Sequence, residues 1–149
     1  MSLGISGNYY YTADNGKVIG LSGKISYYFN QISGVCGIIR KGIGAPVLGA
    51  SEPRQEWNND ISSFTDITFL YRHNLPEILD GLFIGSGLSH LYFKLEDDTK
   101  YSYFSLPIVL GIEFQLTKSL YFNVGINSNI NKKITLWGFD LGISYKLIR

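Results

Sequence analysis

Cysteine is nearly absent from this chain, which excludes a disulfide framework. Cys36 is the single cysteine among 149 residues, so no internal disulfide can form, and no second set of ligands makes it a credible zinc site. Charged residues are also scarce, at 17%, compared with roughly 25% in an average soluble domain. The net charge is +1 and the basic residues form no cluster, which argues against nucleic acid as a partner.

Long apolar runs are missing as well. No stretch comes near the roughly 18 consecutive apolar residues of a transmembrane helix, so we exclude a helical membrane span. The mean hydropathy of +0.06 is nevertheless too high for a disordered chain. The chain is instead rich in glycine (17), tyrosine (11) and phenylalanine (9). Its length fits a single domain over residues 1–149.

The first residues contain no recognisable targeting segment. A secretory signal has a basic start, an apolar stretch and a small-residue cleavage site, whereas residues 1–4 have none of these and Leu3 onward is typical of a strand. The chain is therefore either cytosolic or the mature part of an exported protein whose signal peptide has been removed. The strand pattern favours the second interpretation.

Apolar residues alternate with small or polar ones along most of the chain, which predicts an all-β fold. In residues 101–116, one face carries apolar side chains such as Leu110, and the other carries residues such as Gly111 and Glu113. Eight such segments are predicted, at residues 2–12, 17–29, 33–41, 61–72, 82–95, 101–116, 119–129 and 134–148.

Two of these segments have an ambiguous pattern. Both faces of residues 33–41 carry apolar groups, so the register of that strand stays open. In residues 82–95 the alternation changes phase, which predicts a β-bulge near Ser89 and His90.

The connections also carry information. Asn15 and Gly16 suit a type I′ turn after the first strand. Residues 42–60 form the long connection, and a connection of that length is usually functional or mobile. Trp57 and the asparagines beside it are candidates for contacts with a partner or a surface glycan; the alternative is a solvated loop whose aromatic residue caps the barrel rim.

Alternation alone leaves two architectures open. In a soluble, lipocalin-like barrel that binds an apolar ligand, the apolar face would line the interior. That face is too bulky for the interior of a small barrel, and the opposite face has too few charges for a solvated surface. Both difficulties disappear if the apolar face meets lipid, because small residues and a few paired charges suit the narrow interior of eight strands. The sequence therefore favours an eight-stranded antiparallel up-and-down transmembrane β-barrel, whose closure pairs every backbone group.

Two sets of residues follow from this architecture. The first is a polar network inside the barrel, where ion pairing offsets the cost of burying charge. Its predicted members are Lys24, Asp66, Arg72, Glu113, Asp140 and Lys146. The second is a pair of aromatic girdles at the two membrane interfaces. Its predicted members are Tyr9, Tyr11, Phe29, Tyr71, Phe104, Phe114, Phe122, Trp137 and Tyr145.

The connection lengths predict an orientation. With both termini in the periplasm, the long 42–60 connection and the segments 96–100 and 129–133 lie outside the cell, and the tight turns at 30–31 and 117–119 lie inside. Short inner turns with longer outer loops are usual for outer-membrane barrels.

Two successive strands resemble a known family. Residues 81–88 form a glycine-rich strand, and residues 104–111 follow as a strand of the Leu-Pro-x-x-Leu type. This order resembles the small outer-membrane β-barrel domains of the Bacteroidota, of the eight-stranded OmpA/OmpX-like kind. The resemblance is good over roughly the last 70 residues and extends to the first 60 by pattern only. The chain departs from the family at its end, where Arg149 stands in place of the usual terminal aromatic residue. Either this end is altered, or recognition by the assembly machinery rests on Tyr145 and Leu147.

A catalytic alternative comes from lipid A deacylase barrels, which carry a His-x-Ser-Asn stretch and a later acidic residue. Ser128 and Asp140 match that pattern in type, but Ile126 occupies the position of the base. Without an imidazole, nothing at that position takes the proton of the serine. The two histidines, His73 and His90, belong to other strands. We therefore predict no enzymatic activity and no catalytic, cofactor-binding or metal-binding residues, with a lipid-modifying hydrolase as the alternative.

The resemblance and the pattern together predict a non-enzymatic protein of a Gram-negative outer membrane. The expected surroundings are membrane lipid and lipopolysaccharide, with an outer-membrane protein as a further partner. A structural, adhesion or partner-binding role would then be carried by the extracellular loops, above all by residues 42–60.

Overall fold

Eight consecutive strands form one closed barrel. A computed structural model describes residues 1–12, 17–44, 61–131 and 135–147. Each strand pairs antiparallel with its neighbours in sequence, and β1 pairs with β8, so the sheet closes on itself. The strands are β1 (Ser2–Thr12), β2 (Lys17–Tyr28), β3 (Ser33–Gly44), β4 (Ile61–Asn74), β5 (Leu82–Leu95), β6 (Lys100–Gln115), β7 (Leu120–Ile130) and β8 (Leu136–Lys146). The predicted eight-stranded antiparallel up-and-down barrel is confirmed.

The two ends of the barrel differ in their connections. The start of β1 and the end of β8 lie at the same end of the barrel, called here the termini end. The turns at 29–32, 75–81 and 116–119 lie at this end too. These turns are held by short-range bonds, such as that from Leu116 N to Leu120 O at 2.9 Å. The opposite end, called here the loop end, carries the other connections.

Several predictions for the loop end concern residues outside the described part of the chain. These are the turn at Asn15 and Gly16, residues 45–60 with Trp57, Asn58 and Asn59, and Lys132 and Lys133 at the last connection. Among the described residues, no helix is long and apolar enough to cross a membrane.

The apolar face of the strands lies on the outside of the barrel. On β6, Phe104 is 70% exposed, whereas the neighbouring Ser105 is 5% exposed. On β2, Leu21 is 74% exposed, and Ser22 beside it is buried. The exterior is therefore apolar around the barrel, which is the arrangement that a hydrocarbon solvent requires.

The predicted bulge in β5 is wrong. Inward and outward positions alternate through Ser89 and His90 without interruption, and the pairing of β5 with β4 keeps one register there. The register shift in this pair lies instead between Ile61 and Ser63, at the start of β4. The sequence pattern misleads because the inward face of β5 near the loop end is itself apolar, so both faces carry large side chains.

The open register of β3 is resolved by its pairing with β2 and β4. Arg40 is 1% exposed and faces the interior, whereas Lys41 faces outward. Gly34 and Gly42 share the inward face with Arg40. β3 also extends to Gly44, beyond the predicted segment.

Large and small side chains interlock inside the barrel. A Cβ atom on Gly138 would lie 2.3 Å from the ring of Tyr10, and one on Gly111 would lie 2.5 Å from the ring of Phe83. These glycines therefore provide the space that the rings occupy. The expectation that small residues and a few paired charges fill the interior is incomplete, because large apolar side chains such as Tyr10 and Phe83 also pack there.

Candidate functional site

One carboxylate meets three cations inside the barrel near the termini end. The side chain of Glu113 is 3% exposed, and its Oε1 accepts a hydrogen bond from Nη1 of Arg72 at 2.7 Å. Nζ of Lys24 lies 3.5 Å from the same oxygen, and Nζ of Lys146 lies 3.4 Å from Oε2. These four residues, called here the Glu113 cluster, come from β2, β4, β6 and β8 and carry two more positive charges than negative ones.

Aromatic rings stabilise part of this positive charge. The guanidinium of Arg72 lies 3.8 Å from the ring centroid of Phe83, and Nζ of Lys146 lies 3.7 Å from that of Tyr121. Cations over aromatic faces are attracted by the quadrupole of the ring. The cluster is therefore a packed element of the interior.

A second charged layer lies deeper in the barrel. Nη1 of Arg40 donates to Oδ2 of Asp66 at 2.6 Å and to Oγ1 of Thr68 at 3.0 Å. Ser89 also donates to Asp66, at 2.8 Å. Nη2 of Arg40 lies 3.9 Å from Asp140, so one guanidinium bridges two carboxylates. We call this group the Arg40 layer.

Asp140 also accepts hydrogen bonds from neutral side chains, which stabilise its buried carboxylate. Asn127 donates to Oδ2 at 2.7 Å, and Asn8 donates to Oδ1. The predicted interior residues thus form two groups: Lys24, Arg72 and Lys146 meet at Glu113, while Asp66 and Asp140 meet at Arg40.

Arg40 is the interior residue that the sequence analysis missed. The register of its strand was open because both faces of residues 33–41 carry apolar groups. The sequence does contain a signal for Arg40, because small residues mark the interior face of a narrow barrel. Several small residues lie an even number of positions from Arg40, and so on the same face of the strand: Gly34, Cys36, Gly42 and Gly44.

A small cavity is lined by members of both charged groups. Its volume is about 50 Å³, and its lining includes Lys24 and Arg72 from the Glu113 cluster and Arg40 and Asp140 from the Arg40 layer. We call this cavity the chamber. A volume of that size accommodates roughly three to five waters or one ion of comparable size.

Apolar side chains close the interior at the loop end. Tyr10 and Phe64 pack edge to face at 5.3 Å, and Phe64 stacks on Phe93 at 6.1 Å. The full cluster, called here the apolar plug, consists of Tyr10, Val18, Ile61, Phe64, Leu91, Phe93, Leu95 and Leu136, with Tyr103 against it. Tyr10, Leu91 and Phe93 are 0% exposed, so the plug leaves no open path through the part of the interior that the structure describes.

The residues predicted to form girdles all occupy outward positions in two groups. Near the loop end lie Tyr9, Tyr11, Phe104 and Trp137; near the termini end lie Phe29, Tyr71, Phe114, Phe122 and Tyr145. Neighbouring strands bring members together, as with Phe114 and Phe122, whose centroids are 6.5 Å apart. Their contact with membrane interfaces stays a prediction.

The catalytic alternative finds no base near Ser128. That side chain is 4% exposed, and its Oγ has no hydrogen-bond partner among the described residues. Nδ1 of His73 lies 3.3 Å from Oγ of Ser33, and Nε2 of His90 lies 2.7 Å from Oγ of Ser102, so both histidines contact residues on other strands. Within the described ranges, no three His, Cys, Asp or Glu residues converge as metal ligands.

Within the described residues, β4, β5 and β6 reach further than β1, β7 and β8 at the loop end. β4, β5 and β6 have 14, 14 and 16 residues, whereas β1, β7 and β8 have 11. Pairing of β6 with β7 begins only at Leu106 and Ile130, so residues 100–105 pair with β5 alone within the described part of the chain. We call residues 100–105 the β6 edge.

A turn at the top of this projecting sheet carries an exposed ion pair. Nζ of Lys94 lies 2.6 Å from Oδ1 of Asp98, and this ammonium lowers the pKa of the Asp98 carboxyl. Asp98 has a φ of 64°, a left-handed conformation that aspartate tolerates better than most residues. Lys100, the cross-strand partner of Lys94, brings a second ammonium to the same surface.

The fold belongs to the class of closed eight-stranded antiparallel barrels found in outer-membrane proteins. Neisserial surface protein A is similar over 98% of this chain and 95% of its own, with a TM-score of 0.64 and 11% identity. The N-terminal barrel domain of Pseudomonas aeruginosa OprF is similar over 97% of this chain and 96% of its own, with a TM-score of 0.61 and 14% identity. Ail, the attachment invasion locus protein of Yersinia pestis, is similar over 97% of this chain and 94% of its own, with a TM-score of 0.59 and 15% identity.

Sequence comparison adds no closer assignment. No protein-family model matches this chain, and no curated protein matches it. The similarity to solved structures therefore describes the fold.

Proposed function

We propose that this chain is a non-enzymatic integral protein of a Gram-negative outer membrane that acts structurally, in adhesion or in partner binding through its loop end. The observation that carries this proposal is the apolar exterior. Leu21, Phe69 and Phe104 are 74%, 67% and 70% exposed, and comparable side chains occur on the outer face of the other strands. A continuous apolar surface of this kind is not stable in water, whereas lipid solvates it.

The described residues show no interior cavity of the size that a soluble barrel needs for an apolar ligand. Pockets for small apolar molecules usually measure about 300–1,000 Å³. The chamber measures about 50 Å³ and is lined by three cationic side chains. Among the described residues, the interior is otherwise filled by the apolar plug, the charged groups and a second apolar cluster of Cys36, Ile38, Leu70, Phe83 and Val109. The interior is thus poorly suited to an apolar ligand.

The projecting strands support a binding role at the loop end. The backbone of the β6 edge has one side without a strand partner in the described chain, and such an edge is a template for an added strand. The side chain of Tyr101 is 37% exposed and offers an aromatic contact beside the backbone of this edge. A partner protein that adds an extended segment there would pair these groups.

Exposed cations at the loop end favour lipopolysaccharide as a second contact. Ail has been crystallised in complex with the heparin analogue sucrose octasulfate, a polyanion. Here Lys94 and Lys100 face each other across β5 and β6 on the outer surface, and Asp98 pairs with Lys94, so Lys100 is the better placed of the two to contact an anion. Phosphate groups of lipopolysaccharide carry the complementary charge, and this contact would anchor the loop end in the outer leaflet.

The absence of enzymatic activity is supported by the surroundings of Ser128. Ile126 stands in place of a base, and the contacts of both histidines lie on other strands. A fatty-acid release assay on lipid A should show no activity above that of the Ser128→Ala variant. A difference between the two proteins would establish the hydrolase alternative.

The membrane assignment is tested by detergent dependence and gel mobility. The folded barrel should require detergent or lipid and should migrate faster in unboiled than in boiled samples. A protein that stays monodisperse in plain buffer would overturn the proposal. Binding to vesicles with and without lipopolysaccharide tests the second contact, with Lys94→Met and Lys100→Met expected to weaken the difference.

A further inference from the structure

The Glu113 cluster carries more positive charge than its carboxylate balances. Lys24, Arg72 and Lys146 share the two oxygens of Glu113, and only the Arg72 contact is short, at 2.7 Å. The two lysines lie at 3.5 and 3.4 Å, outside strong hydrogen-bond distance. The Arg40 layer, in which one guanidinium meets two carboxylates, offsets one of these two charges. One positive charge of the interior remains, and a further anion would balance it.

A buried donor without a partner lies in the same region. Nε of Arg40, a residue 1% exposed that lines the chamber, has no hydrogen-bond partner among the described residues. Buried donors are rarely left unpaired in folded proteins, so this atom indicates that a polar species completes the site.

The chamber provides space next to these groups. Lys24, Arg72 and Arg40 line it from three adjacent strands, and Asp140 is the one acidic residue of its lining. The carboxylate of Asp140 accepts hydrogen bonds from Asn8 and Asn127 and lies 3.9 Å from Nη2 of Arg40, so protein groups already solvate its charge. Access is from the termini end, where the side chains of Lys146 and Lys24 are 32% and 17% exposed, because the apolar plug closes the other end.

We propose that the chamber binds a small oxyanion of the phosphate class, held by Lys24 and Arg72 with Arg40 at its inner wall. Tetrahedral oxyanions accept several hydrogen bonds at once, and guanidinium and ammonium groups are their usual partners. The site lies at the opposite end of the barrel from the proposed partner surface. It is a separate function, and it requires only the folded barrel.

The test is calorimetric titration of inorganic phosphate into the folded barrel in uncharged detergent, at ionic strength held constant with chloride. We expect saturable binding of one phosphate per barrel. Lys24→Met should weaken the affinity roughly tenfold or more, because a hydrogen bond to a charged group is lost. Lys41→Met is the matched control, since Lys41 is a lysine of the neighbouring strand that faces outward, and it should bind like the wild type.

Each variant is first checked for heat-modifiable gel mobility, and Lys24→Gln replaces Lys24→Met if the latter does not fold. A parallel titration with glycerol phosphate distinguishes a free phosphate ion from the phosphate headgroup of a lipid. Weaker binding of glycerol phosphate than of inorganic phosphate indicates the free ion. Equal or tighter binding indicates the headgroup. Absence of saturable binding to both probes would overturn the proposal. Equal weakening by Lys24→Met and Lys41→Met would also overturn it, because the effect would then reflect surface charge.

Discussion

Replacing Glu113 by glutamine should be among the most destabilising single changes in the barrel interior. The substitution preserves size and removes the one carboxylate that three cations share. At an effective dielectric constant of about 20, unit charges separated by about 3.5 Å attract by roughly 5 kcal/mol before desolvation is considered. Removing one partner of a buried ion pair costs about 3–5 kcal/mol in practice. We expect a loss of that size for Glu113→Gln, mostly through Arg72, because Lys24 and Lys146 are partly solvated.

Urea unfolding in lipid vesicles, followed by the gel mobility of unboiled samples, measures the change. The double variant Glu113→Gln/Arg72→Met should recover part of the loss, with a coupling free energy of about 0.5–3 kcal/mol, since one unpaired cation is removed. Asp98→Asn is the matched control, because it removes a carboxylate from an exposed pair with Lys94 and should leave the unfolding midpoint unchanged. If Glu113→Gln were as harmless as Asp98→Asn, the described role of the cluster would be wrong.

Three further predictions concern the exterior, the plug and one turn. Leu110→Lys on the outer face should cost roughly 2–4 kcal/mol near the membrane midplane and reduce insertion into vesicles, and normal insertion would contradict the lipid-facing assignment. The wild-type barrel should show no stable conductance steps in a planar bilayer, and such steps would refute the closed interior. Phe93→Ala should lower the free energy of unfolding in urea by about 3–5 kcal/mol, because it leaves a cavity in the plug. Gly81→Ala should lower the unfolding midpoint, because Gly81 has a φ of 80° and its Cβ would lie 2.1 Å from the carbonyl oxygen of Glu113. Gly23→Ala, with nothing within 4 Å of its added Cβ, should be tolerated, and equal effects of the two changes would contradict this account.

Alternation along the chain was sufficient to predict the fold class. A period of two assigns successive side chains to opposite faces whatever the strand pairs with, so eight segments and their faces follow from the sequence alone. The volume of the apolar face then favoured an inverted barrel. The strand ends observed, such as Gly44 for β3 and Lys100 for β6, differ from the predicted ends by a few residues at most.

The same rule failed where both faces carry large side chains. Near the loop end, β5 has apolar residues on the inward face, and the pattern there imitates the phase change of a bulge at Ser89. In β3, the apolar residues on both faces hid the inward orientation of Arg40. Periodicity distinguishes faces by contrast in polarity, and it gives no signal where that contrast is lost.

The sequence by itself determined the alternation, the closed-barrel class and every charged residue of the described interior face except Arg40. Only the tertiary structure decided that Glu113 is shared by three cations, that Arg40 bridges Asp66 and Asp140, and that the plug closes one end. The physical reason is that partners across a barrel are set by register, and register depends on the pairing of strands far apart in sequence. The charges that meet at Glu113 come from four different strands, so no local pattern along the chain records their contact.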